Sequence, residues 1–507
     1  MRKTLFAQIL LVMCLFTAVS LIAGNIDFSE YRPMTNEEFV MQAIDKDTQF
    51  SLELQNYLKA KYTHLSAQAI KSWSLGSSIG NTHVENISGN IKKTDSNFYE
   101  FNVQKLFLLT GTRFQISHTN IFSTSEYKPT QQDNMLNQLP PKTSADIDNS
   151  SPEISISLVQ PLLKNALGLA DKFPLQIAEL EEAAAKLDVQ EAWEKRIAEL
   201  FIAYFSWTAA YENVLALQEI VTEIRKLEEQ VERKVEARVA ERSDLLLTRS
   251  NVLQYQRTLL EAEGAYTNEM FNIITLGLDR EMLLRDITKI KPVIKENIFK
   301  LNFETQPADE VALEKLRILK KMRLLHKQLL LNKKKAENAK LVDINFVGEY
   351  TLKGNSDDKK GGYDNLEKNN YNLMLQATYP LGNQQAKGEL KRVKTEIEEL
   401  NYAILTTKQS LKLALKQMEE RIFILNQVLV LFEEQLANAK EKLALDIKDY
   451  KIGRLDTRYL IESQNAVTNA RLQKVQTIIE LHKITIEYLS LTDSILKCFP
   501  EISEKLK

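Results

Sequence analysis

The sequence has little glycine, proline or cysteine and no excess of either charge. Its 507 residues include 15 glycines and 11 prolines, and the scarcity of these two helix-breaking residues favours a mainly helical protein. The 66 lysines and arginines are balanced by 68 aspartates and glutamates. This balance argues against the strongly basic surface that nucleic-acid binding requires, so we expect no nucleic acid among the partners.

The N-terminus has the pattern of a secretory signal peptide, predicted here for residues 1–24. Arg2 and Lys3 precede an apolar run from Leu5 to Ile22, and small residues near its end offer cleavage sites. Because this run approaches membrane-spanning length, an uncleaved anchor is the alternative. No later run reaches the roughly 18 apolar residues of a transmembrane helix. A mature chain that crosses a membrane must therefore do so as strands of a closed barrel.

Helical periodicity occupies two long blocks. Residues 175–263 contain neither glycine nor proline, and residues 386–496 are interrupted only by Gly388 and Gly453. A continuous helix over residues 386–449 would extend roughly 95 Å. Such a helix needs neighbours along its full length, which a coiled-coil cylinder supplies.

The same order of segments occurs twice. A shorter helix is predicted at residues 35–70 and another at 311–340, and each is followed by strand-like alternation and then by one of the long helical blocks. This order is typical of an internal repeat, so the sequence predicts a duplicated fold.

Three segments alternate apolar and polar residues with the period of a strand. The apolar positions are Ile154, Ile156 and Leu158, then Ile344, Phe346, Tyr350 and Leu352, then Tyr371, Leu373 and Leu375. Strands of about ten residues, apolar on one face and polar on the other, are typical of outer-membrane barrels. A half-buried strand of a soluble protein, which alternates in the same way, is the alternative.

Two polar segments, 127–152 and 353–370, are predicted to be the exposed loops of two hairpins. The four strands of these hairpins cannot close a barrel, because closure needs about eight or more. The sequence therefore predicts an oligomer that shares one barrel. Whether residues 71–122 add further strands stays open at this point.

Catalytic and cofactor motifs are not found. The sequence has no glycine-rich phosphate loop, no metal-ligand spacing among its five histidines and no Gly-x-Ser-x-Gly elbow. We therefore expect no enzymatic activity, no cofactor and no bound metal, and expect the energy for any transport to come from a partner protein.

Short motifs in both repeats resemble those of the TolC-like outer membrane efflux family. They are Leu109-Thr110-Gly111-Thr112, residues 156–163 and Ser243-Asp244-Leu245-Leu246 in the first repeat, and Tyr379-Pro380-Leu381-Gly382, residues 450–453 and Leu460-Ile461 in the second. The resemblance implies a mainly α fold with a transmembrane β component. It further implies a homotrimer whose twelve-stranded barrel, four strands from each subunit, continues into a periplasmic α-helical barrel.

The family resemblance also implies a function. The chain would be an outer-membrane duct for efflux or type I secretion, a passive exit that contacts outer-membrane lipid and works with an inner-membrane pump and a periplasmic adaptor protein. The competing interpretation is a structural or adaptor-type coiled-coil protein of the envelope.

The resemblance places a periplasmic gate at two helix–helix turns, near Val239-Ala240 and Ile452-Gly453. The candidate gate residues are Tyr450, Gly453, Tyr459, Glu462 and Asp244. The basic gate partner of the family falls on Leu455, and one of its two acidic pore positions falls on Tyr459, so only Glu462 keeps the acid. Three copies of Glu462 around a narrow axis would attract cations, and ordinary solvated acids at a helix end are the alternative, also for nearby Asp446, Asp449 and Asp456.

These predictions divide the chain into eight segments. They are the signal peptide at 1–24, an N-terminal helical segment at 25–70, a first β-hairpin region at 71–163, a first long helical hairpin at 164–277, an equatorial segment and helix at 278–340, a second β-hairpin at 341–381, a second long helical hairpin at 382–497 and a C-terminal tail at 498–507.

Overall fold

A computed structural model describes residues 26–29, 31–85, 91–127, 146–277, 290–293, 310–356, 362–363, 366 and 368–498. They form two compact units. One comprises the described parts of residues 1–56, 187–320 and 405–507, and the other those of residues 57–186 and 321–404. The predicted signal peptide, most of the predicted loop at 127–152 and nearly all of the C-terminal tail lie outside the described residues.

Seven helices of more than ten residues account for most of the described chain. They are α1 (Asn36–Lys46), α2 (Thr48–Ala67), α3 (Leu169–Glu236), α4 (Arg242–Gly277), α5 (Arg317–Ala339), α6 (Gln384–Lys451) and α7 (Thr457–Leu491). In the part of the chain that the structure describes, none of the helices has both the length and the apolar character to cross a membrane.

Two helix boundaries differ from the sequence prediction. The helix predicted at residues 35–70 is divided at Asp47, whose carboxylate accepts a hydrogen bond of 2.9 Å from the amide of Gln49 and so begins a second helix. Gly388 does not interrupt the second block, because it lies within the first turns of α6. A glycine there weakens a helix by about 1 kcal/mol, which a long packed helix tolerates.

The duplication is clear in the helices. The long helices α3 and α6 each have 68 residues, and the helices that follow them, α4 and α7, have 36 and 35. Each pair is separated by a short turn, at residues 237–241 and 452–456. The internal repeat predicted from the sequence is therefore confirmed for the helical hairpins.

Six antiparallel strands form one sheet in the order β2-β3-β4-β5-β7-β8. The strands are β2 (Trp73–Glu85), β3 (Ile91–Phe107), β4 (Thr112–Tyr127), β5 (Asp146–Pro161), β7 (Asp343–Lys353) and β8 (Lys368–Thr378). Two further short strands, β1 (Arg32–Thr35) and β6 (Ile290–Val293), pair in parallel with each other.

The number of strands corrects the sequence prediction. Residues 71–163 hold two hairpins rather than one, so the chain contributes six strands to the large sheet and not four. The expected twelve-stranded barrel depended on four strands per subunit. The sequence left the strands of residues 71–122 open, because Gly76, Ser77, Ser78 and Gly80 dilute the apolar alternation in β2.

The strand register gives the sheet one mainly apolar and one mainly polar face. Side chains directly opposite each other in antiparallel strands share a face, and Leu75, Val103, Ile116, Ile156 and Tyr350 are successive partners across five strands. The last of these lies opposite a tyrosine of β8. The polar face carries Ser78, Glu100, Ser117, Ser155, Glu349 and Asn372. The alternation predicted for three segments is confirmed, and the extra hairpin continues both faces.

Gly111, in the predicted Leu-Thr-Gly-Thr motif, lies in the turn between β3 and β4. Its φ of 76° is in the left-handed region, and a Cβ atom built on it would lie 2.8 Å from the backbone nitrogen of Gly168. Gly168, just before α3, has the same restriction, because its Cβ would lie 2.3 Å from the carbonyl oxygen of Leu108. Two glycines thus allow the turn and the helix start to touch.

Tyr204 of α3 is fully buried and lies at the centre of the core of the first unit, which includes residues 187–320. Its hydroxyl lies 2.7 Å from the carbonyl oxygen of Met34 and accepts a hydrogen bond of 2.9 Å from the amide of Val293. Burial raises the pKa of this phenol well above its usual value. Tyr204 thereby fixes both strands of the short parallel sheet to the helix.

A buried ion cluster joins α3 to the ends of α5 and α7. Glu194 is almost fully buried and pairs with Arg317, and the guanidinium of Arg317 also lies 3.1 Å from Asp493. The other oxygen of Glu194 accepts a hydrogen bond of 2.6 Å from the amide of Ile495, at the start of a helical turn. The cluster therefore satisfies a buried carboxylate with a cation and with backbone amides.

We predict that Glu194→Ala lowers the free energy of unfolding by about 3–5 kcal/mol, because it leaves the Arg317 charge buried without its main partner. Denaturant unfolding of the purified, detergent-solubilised protein measures the change. The matched control is Glu389→Ala, which breaks an exposed pair with Arg392 and is expected to cost less than about 1 kcal/mol. Equal losses in the two variants would contradict the prediction.

Candidate functional site

The two turns that were predicted to form the gate have the same backbone geometry. In the first, the amide of Val239 donates to the carbonyl of Lys234 at 2.8 Å. In the second, the amide of Arg454 donates to the carbonyl of Asp449 at 2.9 Å. Both bonds span five residues and close a Schellman motif, in which the residue after the helix is left-handed.

The left-handed position is filled by different residues in the two turns. Gly453 has φ 77°, and the position that corresponds to it in the first repeat, Arg238, has φ 60°. A residue with a Cβ atom pays about 1–2 kcal/mol for this conformation and glycine does not. The sequence gives no sign that Arg238 adopts this conformation, because an arginine rarely has a positive φ.

Tyr450 packs in an apolar cluster that joins all four long helices beside the turns. It is buried with Leu227 and Val231 of α3, Leu245 of α4, and Leu460 and Ile461 of α7. Leu455, where the family has a basic gate residue, packs against the edge of this cluster. At this position the chain therefore has an apolar contact within the subunit instead of the basic residue of the family.

Lys234 supplies a cation to the same site, a contact that the sequence did not predict. Its ammonium lies 3.6 Å from the centroid of the Tyr450 ring and donates a hydrogen bond of 3.2 Å to the carbonyl oxygen of Tyr450. This combination of a cation–π contact and a carbonyl at the C-terminal end of α6 stabilises the positive charge there. The first and second helical hairpins are thus fixed to each other next to their turns.

The other candidate residues lie nearer the surface. Tyr459 and Glu462 are exposed on the first turns of α7. Asp244 lies in the first turn of α4, where its carboxylate lies 3.4 Å from the amide of Glu241. Asp456 precedes α7 and accepts a hydrogen bond of 2.9 Å from the amide of Arg458, which makes it an N-cap. Two of the acids therefore have local structural roles, while Glu462 projects from the helix surface.

A group of polar side chains interrupts the apolar face of the sheet at β3 and β4. His118 and Asn120 of β4 lie 3.1 and 3.2 Å from the hydroxyl of Tyr363, which follows β7. Asn120 also lies 3.3 Å from the hydroxyl of Tyr99 in β3. These contacts hold the side chain of Tyr363 against the middle strands. The sequence did not predict that these tyrosines would meet. Tyr363 lies in a predicted polar loop, and Tyr99 lies in a segment whose strands were left open.

Metal-ligating side chains do not cluster in the described part of the chain. Within residues 26–498, leaving out the gaps given above, no three His, Cys, Asp or Glu side chains come close enough to hold a metal ion together.

We predict opposite effects of substitution at the two turns. Gly453→Ala should lower the free energy of unfolding by about 1 kcal/mol, because alanine resists a positive φ. Arg238→Gly should raise it by up to about 1 kcal/mol by relieving the same strain. Thermal unfolding of the detergent-solubilised protein, with hydrogen exchange of the turn amides, measures both changes.

The matched control is Gly264→Ala, a glycine within α4 around which an added Cβ meets nothing within 4 Å. This variant should be more stable than the parent by up to about 1 kcal/mol, since alanine favours helix. Destabilisation by Arg238→Gly would show that the arginine side chain holds the first turn.

The fold was compared with those of known proteins. Searches with family models and against curated proteins found no match. Several solved structures are similar over nearly their whole length. The Campylobacter jejuni CmeC outer membrane channel is 13% identical with a TM-score of 0.65, covering 93% of this chain and 90% of that one. The Vibrio cholerae outer membrane protein VceC is 10% identical with a TM-score of 0.64, covering 90% and 96%.

The third similar structure is the open state of the Neisseria gonorrhoeae MtrE outer membrane channel. It is 14% identical with a TM-score of 0.59, covering 94% of this chain and 96% of that one. Identities this low establish the fold and not the activity. The resemblance inferred from the sequence motifs is thereby confirmed, and the chain has the fold of the TolC-like outer membrane efflux channels.

Proposed function

We propose that this protein is the subunit of an outer-membrane duct, through which an inner-membrane pump and a periplasmic adaptor export their substrate. The observation that carries the proposal is the six-stranded antiparallel sheet with one apolar and one polar face. Its apolar face is suited to lipid and its polar face to a water-filled lumen.

The sheet supports membrane insertion because its apolar side chains are exposed in the single chain. Leu75, Ile79, Phe101, Ile116 and Ile156 all contact solvent on the same face. A soluble monomer rarely exposes a contiguous apolar surface of this extent, so the face needs lipid or protein to cover it.

Assembly with other copies follows from the strand number. Six strands are fewer than the eight or so that a closed barrel needs, and a membrane does not tolerate open sheet edges. The similarity to outer membrane channels favours a homotrimer as the assembly that closes the sheet.

The helical hairpins would form the periplasmic part of the duct, with the two turns as its tip. The packed cluster around Tyr450 gives each subunit a firm tip at which adaptor and pump proteins can bind. Energy would come from the pump, which makes the duct itself a passive exit.

The proposal predicts that the full-length protein fractionates with the outer membrane, is released only by detergent and runs as a trimer. Membrane separation on a sucrose gradient, followed by light scattering of the detergent-solubilised protein, tests this. A monomer in the soluble periplasmic fraction would overturn the proposal, and recovery with the inner membrane would favour an adaptor.

Glu462 provides a test of the gate within this proposal. We predict that the purified trimer conducts ions in planar bilayers with a preference for cations. Glu462→Gln should lower the cation-to-anion permeability ratio several-fold, because it removes three charges from a narrow ring. The reversal potential in a salt gradient measures the ratio.

The control for Glu462 is Glu434→Gln, an exposed acid on α6 several turns from the tip. This substitution removes the same number of charges and should leave the permeability ratio unchanged. If Glu462→Gln keeps the selectivity of the parent protein, the acidic ring is not part of the gate.

A further inference from the structure

Among the residues that the structure describes, the two outer strands of the sheet, β2 and β8, each have a partner strand on one side only. Both strands are long, at 13 and 11 residues. An unpaired edge of this length is unstable in water and forbidden in lipid, so each edge needs a second strand.

Apolar side chains are more exposed on the two outer strands than on the interior strands, which is consistent with a missing neighbour strand at each edge. On the apolar face, Ile116 and Ile156 in the interior strands are 38% and 40% exposed. Leu75 in β2 is 77% exposed, and Leu373 in β8 is 65% exposed. The interior residues are flanked by strands on both sides, whereas the outer residues lack one flank. Joining the two edges would give each of them the flank that it lacks.

Neither edge carries the features by which proteins protect an open strand. Strand β2 contains no proline, lysine or arginine, and β8 has a single lysine at its first residue. Both strands pair with their inner neighbours without a bulge. Edges that must stay free are usually blocked by charge, proline or a bulge, so these two edges are built for pairing.

In a barrel with four strands per subunit, the strand that pairs with the neighbouring subunit would be β4 instead of β2. However, β4 is paired with β3 along its length on one side and with β5 on the other. Freeing the first side would break that ladder and leave β2 and β3 as an isolated hairpin, which is marginally stable at best.

We propose that β8 of one copy pairs with β2 of the next, so that three copies close a barrel of 18 strands. The sheet alternates strand direction at every step, and with six strands its two outer strands run in opposite directions. The junction between copies is therefore antiparallel, like every junction within a copy. The faces also match, because Leu75 and Leu373 belong to the same apolar face.

The extra hairpin has a consequence for the pore. Barrel diameter grows roughly in proportion to strand number, so 18 strands enclose a barrel about half as wide again as 12 strands with similar tilt. Gly76 and Gly80 of β2 lie on the lumen face and are covered by Asn102 and Phe98 of β3. The hairpin of β2 and β3 would thus form part of the barrel wall, with small residues of β2 at the junction between subunits.

Cysteine cross-linking of the full-length protein in isolated outer membranes tests this proposal, which rests on the proposed outer-membrane duct. In a Cys498→Ser background, Leu75→Cys is combined in turn with one cysteine on the apolar face of β8. The four β8 positions are Tyr371, Leu373, Leu375 and Ala377, which follow one another along its apolar face. Oxidation should convert at least one pair into covalent dimers and trimers on a non-reducing gel.

The matched control replaces Leu75→Cys by Ile116→Cys with the same four β8 positions. Leu75 and Ile116 lie at the same level of the sheet on the same face, joined through Val103. A barrel closed at β2 keeps Ile116 distant from every β8 strand, so these pairs should stay monomeric on the gel.

Three results are distinguishable. Cross-links from Leu75 but not from Ile116 support the proposal. Cross-links from Ile116, or none from Leu75 in protein that is trimeric and located in the outer membrane, overturn the 18-stranded barrel and leave the duct intact. Protein that is neither trimeric nor in the outer membrane before oxidation overturns the duct itself, and the barrel with it.

Discussion

Hydrogen bonding between neighbouring strands is the constraint on which the architecture depends. A backbone amide or carbonyl that faces hydrocarbon without a partner costs several kcal/mol, and an antiparallel strand presents such groups along both sides. In the six-stranded sheet, as far as the structure describes it, four strands are paired on both sides and two are paired on one side only. In the proposed duct, the sheet would therefore be complete only as part of a closed ring of copies.

The helical hairpins solve a different problem, which is how to end a 68-residue helix and reverse the chain twice with the same geometry. Both turns close with a Schellman motif, one with Gly453 and one with Arg238 in the left-handed position. The apolar cluster around Tyr450 compensates for the strain in the first turn, because it packs α3 against the helices of the second hairpin. Packing between the repeats thus permits a residue that local preference disfavours.

Much of this fold could be predicted because its signals are local. Long helices with few glycines and prolines are recognisable by their periodicity, and the strands near Ile156, Phe346 and Leu373 alternate apolar and polar residues. Strand β2 could not be recognised from the sequence, because its two glycines are explained only by the Asn102 and Phe98 side chains that lie over them. At the candidate gate, the sequence located both turns and the exposed Glu462. It could not foresee the contact of Lys234 with Tyr450, since these residues are far apart in the chain and only packing brings them together.

A hairpin returns the chain to the end of the sheet from which it departed. Insertion of β2 and β3 therefore leaves unchanged the end at which the preceding helical segment arrives and β4 begins. The number of strands can change in steps of two by insertion at one point of the sequence, and neither helical hairpin needs a new connection. The width of the barrel and the length of the helices can therefore change independently of each other during evolution.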